Sequence, residues 1–166
     1  MKENLYWIVP LIITTIIAIA NIVIAIFNYR NSKNLNEMQN DMFCFQLYEK
    51  RLNAFESLKE VLSDILANGE AKNTDVTSFL SKTKELKFIF GNDVIQVCDA
   101  IHKTIVELHL TNEKIKHNSV MNIIDKNHLD LCDKEAELLK NLTTLSSELT
   151  DKVSGYISFD KYKLSK

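Results

Sequence analysis

Two carboxylate–histidine spacings are the chain's best candidates for chemistry. Asp99-Ala100-Ile101-His102 and Asp125-Lys126-Asn127-His128 each set a carboxylate and an imidazole three residues apart, which makes them neighbours on a helix. Cys98 stands four residues before His102 and Cys132 four after His128, mirror-image spacings that an antiparallel helix pair brings together. Di-metal four-helix proteins use Glu-x-x-His twice with two further carboxylates, and a Cys/His set suits zinc. Two points weigh against a metal. A turn near Asn118 sets His102 opposite a residue near position 134, roughly 9 Å along the axis from His128. Asp99 also falls off the apolar face that must turn inward. The reading is no metal and no cofactor, with Cys98 in the core, both histidines at its rim and both aspartates in water.

Other chemistries are absent by motif. Helical ribonucleases place a His after an Arg with four to six residues between them, and neither Arg30 nor Arg51 has one there. Metal phosphohydrolases need adjacent His-Asp, and His128-Leu129-Asp130 is off by one. Three Gly and one Pro leave no Walker loop and no Gly-x-Ser-x-Gly elbow. Cys98 and Cys132 each have a His one turn away, but both lie on or near apolar stripes, where a thiol is inert. A balance of 20 basic against 22 acidic residues gives −2, which argues against a nucleic-acid partner. The expectation is a protein that binds and does not catalyse. Lys50-Arg51, between Tyr48 and Leu52, reads as a solvated charge pair; an acidic partner or a bundle carboxylate is the other reading.

The elements that carry these residues begin with an apolar block. Leu5 to Phe27 is 23 residues without a charge, a helix of roughly 34 Å against a hydrocarbon core of about 30 Å. Tyr6 and Trp7 at one end and Tyr29 at the other match interfacial anchors, and Pro10 sits in the first turns, where its missing N–H costs least. Residues 1–29 read as a transmembrane anchor and 30–166 as a cytosolic helical bundle. A cleaved signal peptide ending at Ala18-Ile19-Ala20 is the rival, but it would leave an apolar N-terminus starting at Asn21. Lys2 and the α-amine face Glu3 before the span; Arg30 and Lys33 follow it before Glu37. The positive-inside bias puts the C-terminal side in the cytoplasm by about one charge. Three widely spaced cysteines suit reduced thiols there. Asn141-Leu142-Thr143 would accept a glycan only outside the cell.

One face of the span is small and polar. Thr14, Ala18, Asn21, Ala25 and Asn28 recur at intervals of four and three, a stripe along which a second helix can approach, with Asn21 bonding across it. The expected partners are the bilayer, further copies of the chain and an unidentified protein.

Beyond the span the apolar spacing stays helical. Leu35, Met38, Met42, Phe45, Tyr48, Leu52, Phe55, Leu58, Leu62 and Ile65 follow at intervals of three or four up to Asn68-Gly69. No Pro or Gly separates this helix from the span, although the polar stretch Asn31 to Asn36 is a candidate hinge. Thr74 is the expected cap of a second helix that ends at Gly91, and Asn92 that of a third carrying Val94 to Leu108. A turn is expected at Lys116 to Ser119. A fourth helix follows through Leu138, Leu142, Leu145, Leu149, Val153 and Tyr156, with Gly155 near its end. Ile157, Phe159, Tyr162 and Leu164 form an apolar tail expected to dock on the bundle. The fold class is therefore all-α: a transmembrane helix and then about four bundled helices.

Two segments carry a resemblance. Tyr48-Glu49-Lys50-Arg51-Leu52-Asn53-Ala54-Phe55 and Thr83-Lys84-Glu85-Leu86-Lys87-Phe88-Ile89-Phe90-Gly91 resemble uncharacterised small bacterial membrane proteins with one N-terminal span and a cytosolic helical domain. Leu86 stands where a small residue is expected before the second run. The resemblance implies the architecture, at the bacterial inner membrane, and no activity. The functional expectation is a single-pass interaction and oligomerisation module, adaptor or sensor-like. The alternatives are a membrane effector of toxin or phage-defence type, and a helical metal-binding protein.

Overall fold

The structure is a computed structural model that describes residues 3–121 and 126–158, with side chains from residue 10 onward. It is all-α: α1 (Glu3–Asn68), α2 (Asn73–Thr83), a 3-10 turn (Leu86–Phe88), α3 (Asn92–Val120) and α4 (Lys126–Ile157). The chain divides into two units, Met1–Phe45 and Gln46–Lys166.

The first unit is the N-terminal part of α1. Pro10 is accommodated near the helix start. The hydroxyls of Thr14 and Thr15 both bond back to Leu11 O (3.0 and 2.7 Å), and Thr14 also to Pro10 O (2.9 Å); both hydroxyls are thus satisfied within their own helix. One helix here is long and apolar enough to cross a membrane, with an 18-residue stretch of mean hydropathy 2.5 and none of it buried. No hinge forms at Asn31 to Asn36: helical backbone continues through it, and Lys33 and Glu37 face each other one turn apart (3.9 Å). Leu35, Met38, Met42 and Phe45 are each more than half exposed.

The second unit holds the core. Leu58, Leu62 and Ile65 of α1 pack with Phe79 of α2, Leu86 of the 3-10 turn, Ile101 and Ile105 of α3, and Leu142 and Leu149 of α4. Burying a side chain of this kind is worth about 1.5–3 kcal/mol, and these contacts replace the isolated-helix stability that such sequences lack. α1 ends at Gly69, whose φ of +66° is the left-handed conformation that releases a helix C-terminus.

Besides the cap of α3, which is Gly91 and not Asn92, three boundaries depart from the sequence reading. The cap of α2 is Lys72, not Thr74: Asp75 accepts the Lys72 N–H (2.8 Å) from the first turn. α2 stops at Thr83, and the chain tightens through a 3-10 turn that buries Leu86 and leaves Phe88 outside, which keeps Leu86, Ile89 and Phe90 within one core. Third, α3 does not turn at Lys116 to Ser119 but runs to Val120, with Met121 N–H on His117 O (3.1 Å). That extra turn carries Lys116, which pairs with Glu70 on the loop after α1. The tail residues Phe159, Tyr162 and Leu164 lie outside the described residues.

Candidate functional site

The register of α3 against α4 sets how far apart the two carboxylate–histidine pairs lie. The Asn112 amide donates to Glu135, and the Tyr156 hydroxyl donates to Asp93 (2.7 Å). Both ties run antiparallel, so His102 faces the neighbourhood of position 146 and His128 that of position 120. Along the axis the two histidines are therefore roughly 27 Å apart, and so are Cys98 and Cys132. The estimate of 9 Å came from a turn set about six residues too early. Each residue of error in the turn moves the facing residue by two.

Cys98 is buried, Cys132 half-buried and Asp99 exposed, while Asp125 lies outside the described residues. Burial, and then the neighbouring Asp99 carboxylate, push the Cys98 thiol up to about 12, the opposite of what a nucleophile or ligand needs. His102 Nε2 is buried and has no hydrogen-bond partner among the described residues. No three His, Cys, Asp or Glu side chains among those residues gather where a metal could be held.

The residues that do come together are those of the two resembling segments. Arg51 is no solvated charge. Its Nε donates to Ile89 O (2.7 Å) and a terminal nitrogen donates to Tyr156 O (3.3 Å). Its guanidinium lies 5.9 Å from the Phe90 ring centre and 5.3 Å from that of Tyr156. The two rings meet edge to face at 5.6 Å. One side chain thus ties α1, the 3-10 turn and the end of α4, using the planar fork and stacking that Lys lacks. The Tyr156 hydrogen bond holds the Asp93 carboxyl below its usual range, and the same bond raises the phenol. At Gly91 a Cβ would meet the Tyr156 hydroxyl and the Asp93 carboxylate, so a larger residue there would push that hydrogen-bonded pair aside.

Beside this clamp lies a groove of about 470 Å³ lined by Lys50, Asn53, Ala54, Glu85, Phe88 and Ile89. Phe88 is 88% exposed, the most open large apolar side chain described. The groove offers an apolar floor with one charge of each sign at its rim.

A second polar cluster escaped the sequence reading. Ala71 N–H donates to Asn112 Oδ1 (3.0 Å), and His109 Nδ1 donates to Ala71 O (3.1 Å). Asn112 is 3% exposed. The signal was an amide continuing the Cys98, Ile101, Ile105, Leu108 stripe by four residues, a polar group at a core position that must find partners.

In the span, Thr14, Ala18, Asn21 and Ala25 share an exposed face of α1. Thr14 is occupied within its own helix, which leaves the Asn21 amide as that face's polar group. No protein-family model, curated protein or solved structure matches the chain.

Proposed function

We propose that this chain is a single-pass, membrane-anchored helical interaction and oligomerisation module without catalytic activity. Its anchor lies in a bacterial inner membrane, with the N-terminus outside and the helical bundle in the cytoplasm. One observation carries the reading: the apolar stretch of α1 has mean hydropathy 2.5 and none of it is buried among the described residues. An apolar helix in the core of a water-soluble protein is packed by its neighbours, so an uncovered one of this length needs lipid. Arg30 and Lys33 just after it orient the bundle inward. Among the described residues the bundle offers a groove beside the exposed Phe88, which favours a binding role for it.

Alkaline carbonate extraction of the full chain tests the anchor. Retention in the pellet is the expected result, and release into the supernatant overturns the reading. A second reading, an effector that assembles and perturbs the bilayer, draws on the exposed Asn21 and Asn28 amides of the span. Expression with a potential-sensitive dye separates the two: depolarisation favours the effector, and a steady potential favours the module.

A further inference from the structure

α1 carries an exposed apolar stripe beyond the stretch that lipid would cover. Leu35, Met38, Met42 and Phe45 repeat at intervals of three, four and three, and all are more than half exposed. They begin eight residues after Phe27, so they stand about 12–27 Å beyond the hydrocarbon edge, past the headgroups. A stripe of this spacing is the seam of paired helices.

We infer that this stripe is the contact between two copies of the chain, packed parallel and in register. The proposal rests on the membrane-anchored reading and names the partner for it. Area sets how far the contact must extend. Four half-exposed side chains offer on the order of 400 Å² per helix, or roughly 800 Å² for a pair, short of the about 1,000 Å² that a specific interface needs. The shortfall is met only by a partner that also packs along the span.

The chain's own sequence supplies the match. Thr14, Asn21, Asn28, Leu35 and Met42 are successive residues at steps of seven, one column that passes from the span into the exposed stripe. A strict seven-residue column drifts about 20° per heptad on a straight helix, and a left-handed supercoil of two copies removes that drift. A second copy also arrives in the same membrane, in the same orientation and at the same height. Asn21 and Asn28 in the column then set the register, since an amide on a seam is satisfied only opposite its equivalent.

Disulfide trapping in membranes from cells making the full chain tests the contact. Cys44→Ser is combined in turn with Leu35→Cys, Met42→Cys and Asn40→Cys, the last lying on the opposite side of α1; Cys44→Ser alone is the background. On copper-phenanthroline oxidation, Leu35→Cys and Met42→Cys are expected to give a covalent dimer roughly tenfold above both Asn40→Cys and the background, because paired helices hold those thiols at high effective concentration. Equal trapping at all three positions, no trapping, or an adduct of another mass with pelleted protein overturns the inference and leaves the anchor standing. Recovery of the protein in the soluble fraction overturns the anchor and the inference together.

Discussion

Arg51 is the residue on which most of the bundle's long-range order converges. Arg51→Ala removes two charged hydrogen bonds to carbonyls and two ring contacts, a loss of about 2–4 kcal/mol. Arg51→Lys is expected to recover less than half of it, because an ammonium cannot fork between two carbonyls while lying over two rings. Thermal unfolding of the full chain in detergent, followed by circular dichroism, checks both. Cys98 gives a second outcome. With its thiol buried and pushed up to about 12, iodoacetamide at pH 8 is expected to leave it unmodified in the folded protein and to label it after denaturation. Labelling of Cys98 at the rate of a free thiol would place that face of α3 in solvent. Lys50-Arg51 looked like a surface pair in the sequence because charge type is visible there and partners 38 and 105 residues away are not.

Among the elements, the loop after α1 is held by α3 through side chains and not by its own turn chemistry. Asn112→Ala leaves the buried Ala71 N–H without its acceptor and is expected to cost about 2–3 kcal/mol, read as a lower melting temperature and faster exchange of the Ala71 amide. The Glu70–Lys116 pair on the same loop adds a pH dependence. Its hydrogen bond to Lys116 holds the Glu70 carboxyl below the ordinary 4.5. The folded value is the lower one, so the stability it contributes is present above 4.5 and is lost as pH falls through the depressed value. Lys116→Gln is expected to flatten the acid limb of a stability–pH curve and to leave the limb between pH 5 and 8 in shape. Because both side chains are partly exposed, the change is small and shrinks further in salt.

For the whole molecule, insertion direction hangs on few charges. Arg30 and Lys33 are the basic residues between the span and Glu37. On the membrane-anchored reading proposed above, replacing both with Gln removes the bias proposed to hold the C-terminal side in the cytoplasm. The expected outcome is a mixed orientation, seen as partial protection of the bundle from protease added to intact spheroplasts, against full protection in the parent. An unchanged, fully protected bundle would mean that the folded mass of the bundle, and not charge, decides orientation.

By itself the sequence determined the all-α class, the apolar helix near the start, the end of α1 at Gly69, the start of α3 beside Gly91 and Asn92, and the apolar stripes of α3 and α4. These are local properties: side-chain spacing at 3.6 residues per turn and the conformations open to glycine act over a few residues and need no partner. Only the tertiary structure decided that α2 gives way to a 3-10 turn at Leu86, that Arg51 lies between Phe90 and Tyr156, and that Asn112 supports the α1–α2 loop. It also separated His102 from His128, which similar spacing had made look like one site. Each of those outcomes depends on which residues of different helices face each other. That register is the sum of turn lengths and packing along the chain, so an error of a few residues in a turn becomes many ångströms across a helix pair.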